Sequence, residues 1–346
     1  MTSTRPPHEP HVIRPRIASL DLARGLAVVS MILAHFGPVG GVWNIVERLT
    51  APLFAMLVGV GVLLTWRRRR STADFLVQET YRGLVLIVLG VILQTLYDQI
   101  DVVLQTLGVL SILMALLTVV LRGRVWWSAA AAAVVTLASP EVMNGARQWA
   151  MSAHLSGAGR ELWGWLATGG QYRAVTFAAF ALAGQALVAW VSADHRSTTL
   201  LGATLGAGTL TVLGFLTGNR FLTAPDAYSG TLGELVTALP LTWTAWLGCA
   251  WLAQILPRRW LQPLLDTGRT ALTAYAVQIL LARLLVDLMF GGGSDDHLSM
   301  MMIQLLVAIG GSMLWQRWLG FGPLEWLLRL PEHLSRRDKA SHESAA

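Results

Sequence analysis

Long apolar runs, separated by short polar breaks, follow one another along the whole chain. A membrane hydrocarbon core of about 30 Å takes about 20 helical residues to cross. Runs near that length lie at 17–36, 48–66, 75–97, 102–121, 125–138, 174–191, 198–217, 232–256, 268–290 and 298–318. They are apolar throughout and do not alternate as barrel strands do, so they predict helices. We therefore expect an all-α, polytopic integral membrane bundle of about ten transmembrane helices.

Composition and charge placement agree with this class. Of the 346 residues, 54% are hydrophobic and only 13% are charged, whereas about a quarter of the residues in soluble domains are charged. With the N-terminus inside, sixteen basic residues fall in inner segments and five in outer loops. This positive-inside pattern places both termini in the cytoplasm. The net charge of +6 is thereby explained by the membrane, so no nucleic acid partner is expected.

The segments outside the apolar runs divide the chain. The polar ends 1–16 and 331–346 are predicted cytoplasmic tails, the second disordered, and 17–330 is predicted to be a single transmembrane domain. The connection 139–173 is far longer than the usual loop of about five residues, and it carries Trp163 and Trp165. It predicts either an interfacial cap, since tryptophan prefers the headgroup level, or a lid over an extracytoplasmic substrate.

The first apolar run contains three ionisable residues, Asp21, Arg24 and His35. At about 100° per residue, the eleven-residue step from Arg24 to His35 returns to within about 20° of the same direction, and it spans about 16 Å along the axis. Asp21 joins that stripe. An ionisable group inside a span costs about 3 kcal/mol on insertion scales and indicates function by default. The structural alternative is an anchoring Asp21–Arg24 ion pair and a satisfied histidine.

Two further polar clusters interrupt the apolar pattern. Arg283 and Asp287 stand four residues apart in the ninth run, which predicts either a structural salt bridge or the lining of an acceptor site. The stretch "SDDH", 294–297, is the closest approach to a metal-ligand cluster. No second cluster supplies further ligands, so we expect no metal.

Four stretches resemble a known group of membrane enzymes. "RIASLDLARGLAVVSMILAHFGP" resembles the first helix of the transmembrane acyltransferase superfamily, in which ten residues separate an arginine from a histidine. That superfamily joins polysaccharide acyltransferases with heparan-alpha-glucosaminide N-acetyltransferase and the YeiB-like bacterial membrane proteins of unknown function. "APLFAMLVGVGVLL" is similar to its second helix. "TGRTALTAYAVQ" and "GFGPLEWLLR" resemble the closing signature of the YeiB-like branch. Where the polysaccharide enzymes carry Arg-x-x-Arg, this chain has Glu79-Thr-Tyr-Arg82, which favours the other two branches.

The resemblance implies an acyltransferase in a bacterial cytoplasmic membrane. It implies acyl-CoA, with acetyl-CoA foremost, as the cytoplasmic co-substrate, and an extracytoplasmic small-molecule or glycan acceptor such as an envelope component. His35 would be catalytic, either as a base or as an acyl carrier, and these two routes stay open. Arg24 would position the donor, and Asp21 would hold its guanidinium.

Other arginines are candidates for the phosphates of the donor. Arg69, Arg70, Arg82 and Arg269 lie in or next to inner segments, and guanidinium forks suit phosphate oxygens. Arg67 to Arg70 also fit a purely topological role. The alternative function is a transporter, in which the same buried ionisable groups line a translocation path.

Overall fold

The computed structural model describes residues 17–38, 43–69, 71–193, 195–221, 226–289 and 297–331, and within them every regular element is helical. The helices are α1 Ala18–Phe36, α2 Trp43–Arg68, α3 Thr72–Leu96, α4 Leu104–Val120, α5 Val125–Ser152, α6 Gly157–Trp163, α7 Ala174–Val191, α8 Ser197–Phe221, α9 Leu232–Ile255, α10 Arg258–Arg269, α11 Ala271–Met289, α12 Leu298–Trp318 and α13 Pro323–Leu328. A π-helical turn, Gly164–Thr168, follows α6.

The predicted all-helical membrane fold is confirmed. In the described part of the chain, nine helices are long and apolar enough to cross a membrane, namely α1, α2, α3, α5, α7, α8, α9, α11 and α12. The helix α4 lies where a tenth span was predicted but has only 17 residues. The segment before it contributes the buried side chains Ile100, Val102 and Val103 to the core.

The burial of side chains separates an inner group of helices from an outer group. Most of α1, α2, α7 and α9 is buried, whereas α3, α5, α8 and α12 are largely exposed. The outer helices present apolar side chains such as Leu84, Leu216 and Leu306, each more than half exposed. An apolar outer face is what hydrocarbon, rather than water, would favour.

Small residues bring the inner helices into backbone contact. A Cβ atom on Gly59 of α2 would lie 2.1 Å from the carbonyl oxygen of Ala181 on α7. In the same way, a Cβ atom on Gly184 of α7 would lie 2.6 Å from the carbonyl oxygen of Met56 on α2. Close approach at small residues is the usual basis of helix association in membranes, where apolar burial alone provides no preference for protein over lipid.

Two helix boundaries differ from the predicted runs. The fifth predicted run ended at residue 138, but α5 continues through Pro140 to Ser152. The continuation is polar yet rich in good helix formers, so apolar periodicity stops while helical propensity does not. The ninth predicted run began at 268, but α10 ends at Arg269 and α11 begins at Ala271. Arg269 therefore belongs to the last turn of a short helix and not to a span.

Candidate active site

The helix α10 crosses α1 at a pair of glycines. A Cβ atom on Gly25 of α1 would lie 2.1 Å from the Leu264 carbonyl oxygen, and one on Gly268 of α10 would lie 1.7 Å from the Asp21 carbonyl oxygen. The two backbones are therefore in direct contact. Hydrogen at both positions is what allows the last turn of α10 to lie against the first turns of α1.

This contact joins two arginines and two aspartates. Arg24 Nη1 lies 3.2 Å from Asp21 Oδ1, and Arg269 Nε lies 3.6 Å from Asp21 Oδ2. Arg269 Nη1 also lies 3.2 Å from Asp266 Oδ1. That same Oδ1 accepts a hydrogen bond of 2.8 Å from Gln262 Nε2. We call Asp21, Arg24, Asp266 and Arg269 the α1–α10 network.

Burial is uneven within the network. The side chains of Asp21 and Asp266 are 5% and 7% exposed, whereas those of Arg24 and Arg269 are 37% and 17% exposed. A buried carboxylate is stable only when paired and hydrogen-bonded, and here each has an arginine. The carboxylates thus form the inner layer, and the guanidinium groups lie between them and the surface. The predicted Asp21–Arg24 pair is present, and Asp266 and Arg269 extend it.

The network lies at the end of the bundle where most arginines gather. We call this the basic end; it holds the start of α1, the end of α2 with Arg67 to Arg69, and the start of α3. Arg69 is half-buried. Arg70 lies outside the described residues. The assignment of the basic end to the cytoplasm rests on the loop charges and stays a prediction.

Arg82 has a separate set of partners on α3 and α4. Its Nη1 lies 3.1 Å from Glu79 Oε1, and Ser111 donates a hydrogen bond of 3.2 Å to Glu79 Oε2. Glu79 is fully buried, while the Arg82 side chain is 31% exposed. Within the described residues, no ion pair joins Arg82 to the α1–α10 network. The Glu79-Thr-Tyr-Arg82 motif thus forms an internally paired couple in place of two arginines.

His35 is at the opposite end of α1, in its last turn. Its imidazole is half-buried beside the Phe36 ring, with the two ring centroids 6.2 Å apart. It lies eleven positions after Arg24 along the helix, a rise of about 16 Å. Among the described residues no hydrogen bond fixes the imidazole. The helix therefore carries an arginine network at one end and a partly accessible imidazole at the other.

The predicted Arg283–Asp287 pair is present but is not buried. Arg283 Nε lies 3.8 Å from Asp287 Oδ2, and the two side chains are 55% and 63% exposed. Arg283 also donates a hydrogen bond to the Leu96 carbonyl oxygen at the end of α3. The pair therefore lies on the outer surface of α11, where it connects α11 with α3.

The predicted outer segment contains a cavity at the His35 end of the bundle. Trp163 lines it, together with residues from the end of α5 and from α6. Trp165 is half-buried in the π-helical turn that follows. The neighbouring Arg173 is buried and donates hydrogen bonds to the carbonyls of Gly169, Gly170 and Tyr228. Burial lowers the pKa of Arg173, the nearby Glu234 carboxylate opposes that shift, and Arg147 adds to it.

The possible metal cluster is not described. Asp295 and Asp296 lie outside the described residues. Among the residues that the structure does describe, no group of three His, Cys, Asp or Glu side chains could hold a metal ion.

Comparison with family models assigns both halves of the chain. Residues 16–214 match the model for heparan-alpha-glucosaminide N-acetyltransferase, catalytic, which is more than half of the chain. The chain belongs to the heparan-alpha-glucosaminide N-acetyltransferase catalytic family. Residues 189–331 match a second model, described as a protein of unknown function (DUF418). No curated protein matches the chain.

Membership of the N-acetyltransferase family confirms the resemblance seen in the sequence. This membership identifies the chain as an acetyltransferase-like protein. The nine apolar helices in the described part of the chain indicate an integral membrane protein. The α1–α10 network draws on both matched regions, because Asp21 and Arg24 lie in the first and Asp266 and Arg269 lie in the second. The two regions therefore form one structural unit at the basic end.

Sequence reasoning missed three side chains that organise this end of the N-acetyltransferase fold. Asp266 and Gln262 hold Arg269, and their spacing of three and four residues from their partners was visible in the sequence. Glu325 of α13 accepts hydrogen bonds from the backbone N–H groups of Leu272 and Thr273, at 2.7 and 3.1 Å, and so caps α11. It joins the two stretches that resemble the YeiB-like closing signature, a contact that no periodicity shows.

Proposed function

We propose that this N-acetyltransferase family member transfers an acyl group, acetyl foremost, from acyl-CoA bound at the basic end to an acceptor at the His35 end. The observation that carries the proposal is the placement of Arg24 and His35 at opposite ends of helix α1. Helix α1 carries Arg24 of the α1–α10 network near its start, where Arg269 of α10 joins it, and a half-buried His35 about 16 Å away at its end. The basic residues of the loops favour a cytoplasmic donor and an extracytoplasmic acceptor. The resemblance to the transmembrane acyltransferases suggests a glycan or envelope component as the acceptor, in a bacterial cytoplasmic membrane.

The side chains at the basic end suit the phosphates of a CoA donor. A guanidinium has five N–H donors in a fixed fork, a geometry that matches phosphate oxygens. The buried carboxylates of Asp21 and Asp266 hold Arg24 and Arg269, whose side chains are 37% and 17% exposed. Arg67 to Arg69 at the end of α2 would extend the positive surface, whereas Arg82 is already paired with Glu79 on α3. Two arginines and two aspartates are neutral as a set, so the net attraction for phosphates rests on Arg67 to Arg69.

The reaction needs one proton acceptor at the site of transfer. An acceptor hydroxyl or amine attacks the thioester carbonyl carbon, His35 takes its proton, and the carbon–sulfur bond breaks. The leaving CoA thiolate then receives the proton from the imidazolium, which restores neutral His35. In the second route the His35 nitrogen attacks the thioester carbon first and the CoA thiolate leaves. The acceptor then displaces the imidazole from the acyl group, and the acceptor's proton ends on the thiolate. Both routes require that the acyl group and the acceptor reach the imidazole.

Thiol release by the purified protein tests the proposal. Wild-type protein in nanodiscs, given acetyl-CoA and a set of amino sugars and polyols, should release free CoA thiol. His35→Gln should lower the rate by about 10²–10⁴, the usual contribution of a general base. His195→Gln is the matched control, because it changes a histidine stacked on Trp190 outside the proposed site. It should keep the wild-type rate.

Binding separates the two halves of the proposal. Acetyl-CoA should protect wild type and His35→Gln equally against heat, while Arg269→Gln should lose most of that protection. Full thiol release by His35→Gln would reject the catalytic role of the imidazole. If acetyl-CoA did not protect the wild type against thermal unfolding, acyl-CoA would be rejected as the donor. Acceptor-independent, pH-driven uptake of a solute into liposomes would favour the transporter alternative.

A further inference from the structure

The cavity at the His35 end has a distinct lining. Its volume is about 410 Å³, and it lies between the last two turns of α5 and the α6 region that follows. Arg147 and His154 line it from one side, and Arg160 and Trp163 from the other. Among the described residues that form the lining there is no Asp or Glu. The volume falls within the range of about 300–1,000 Å³ that is usual for small-ligand sites.

Two of the lining side chains are held in place. Trp163 Nε1 donates a hydrogen bond of 3.2 Å to the Ala146 carbonyl, and its ring lies 4.9 Å from that of Trp149, measured between centroids. His154 takes a left-handed backbone conformation with φ of 49°, and its Nδ1 lies 2.9 Å from the Ser152 carbonyl oxygen. Because a carbonyl only accepts, Nδ1 carries the hydrogen, which leaves Nε2 for a ligand.

The charge of this region favours an anion. Arg147 and Arg160 supply two guanidinium forks to a lining without carboxylates, and forks of this kind bind phosphate bidentately. The charge of Arg147 also reaches the buried Arg173 and lowers its pKa, by less than the nearby Glu234 raises it. A bound anion would relieve the mutual repulsion of these arginines.

The depth of the cavity identifies the source of the anion. Helix α5 has 28 residues and is about 42 Å long, which exceeds the hydrocarbon core of about 30 Å. Arg147 lies about 33 Å from its start, so it reaches the headgroup layer. Trp149 and Trp163 lie at the same level, which is where tryptophan rings collect in membrane proteins. Phospholipid phosphates occupy this layer at high local concentration.

We propose that this cavity binds the phosphate of an anionic phospholipid headgroup, in the leaflet opposite the basic end. Arg147 and Arg160 bind the phosphate oxygens, His154 Nε2 faces a headgroup hydroxyl, and Trp163 covers the glycerol. The site requires no acyl transfer, so it stands or fails separately from the proposed function.

Native mass spectrometry of the full chain in a neutral detergent tests the proposal. Wild type with added phosphatidylglycerol should retain one lipid at least about tenfold more tightly than phosphatidylcholine, because the choline cation of the latter neutralises its phosphate and is repelled by the two guanidinium groups. The double variant Arg147→Gln, Arg160→Gln should lose that preference. Arg258→Gln, Arg259→Gln is the matched control, since it removes two exposed arginines at the basic end, and it should keep the preference.

Every other outcome overturns the assignment. Equal retention of the two lipids, or loss of the preference in the control alone, places the anion elsewhere. Displacement of the lipid by equimolar inorganic phosphate identifies a site for free phosphate, and displacement by dextran sulfate identifies an acidic glycan site. If the double variant fails to fold, the single variant Arg160→Gln on the short exposed helix α6 should still weaken the binding of phosphatidylglycerol by about tenfold.

Discussion

Replacing Gly268 by alanine is the sharpest structural test of the α1–α10 contact. The added Cβ would lie 1.7 Å from the Asp21 carbonyl oxygen, whereas real Cβ atoms essentially never come within 3.0 Å of such an atom. The obstructing atom belongs to the backbone of α1 and cannot rotate away. The two helices must therefore separate by about 1.3 Å at this point, because packed backbones do not compress.

That separation has a cost in free energy and in geometry. Overpacking of this kind destabilises a fold by about 1–3 kcal/mol. The Arg269 Nε to Asp21 Oδ2 distance is already 3.6 Å, so any outward shift of α10 weakens this ion pair first. Arg269 would keep Asp266, which moves with it on the same helix. The variant should therefore be less stable and should also bind acetyl-CoA more weakly.

The assay compares thermal unfolding of Gly268→Ala with that of Gly311→Ala in the same nanodiscs. Gly311 lies in the interior of α12, and an added Cβ there would meet no atom within 4 Å. Alanine is a better helix former than glycine by about 1 kcal/mol, so this control should unfold at or above the wild-type temperature. If Gly268→Ala unfolds as late as the control, the close contact of α1 and α10 is wrong, and with it the network.

Two further carboxylates give separate expectations. Glu325→Gln should lower the free energy of unfolding by about 0.5–2 kcal/mol, the usual effect of losing a helix cap, because Glu325 accepts hydrogen bonds from two N–H groups at the start of α11. Thermal unfolding should show this loss of stability. The control Glu141→Gln, at an exposed position, should unfold like the wild type. Glu79→Gln should lower the free energy of unfolding by about 1–3 kcal/mol, because it leaves Arg82 without its buried carboxylate partner. In a double-mutant cycle, Arg82→Gln should destabilise the Glu79→Gln variant less than it destabilises the wild type. Strictly additive losses of stability would contradict the pairing.

The helical membrane fold could be predicted because its signal is local. An apolar run near 20 residues identifies a span without any knowledge of its neighbours, and the positions of nearly all spans followed from this length alone. The exceptions are polar helices. The end of α5 and the whole of α10 carry charged residues, so hydropathy gave no reason to place them in the bundle.

The candidate site was only partly predictable for a related reason. The Asp21–Arg24 pair lies within one helix turn, so spacing was sufficient. The addition of Arg269 depends on Gly25 and Gly268 meeting across two helices, and a glycine in a sequence does not indicate its partner. The same holds for Arg283, whose pairing with Asp287 followed from spacing while its exposure depended on which side of α11 meets α3.

The measurement that tests the central claim most directly is a structure of the full chain with a non-hydrolysable acetyl-CoA analogue in nanodiscs. We expect CoA phosphates at Arg24 and Arg269, and the acyl carbonyl of the analogue within about 4 Å of the His35 ring. An acyl group that ends at the basic end, far from His35, would contradict transfer along α1, and CoA phosphates at the His35 end would reverse the proposed direction.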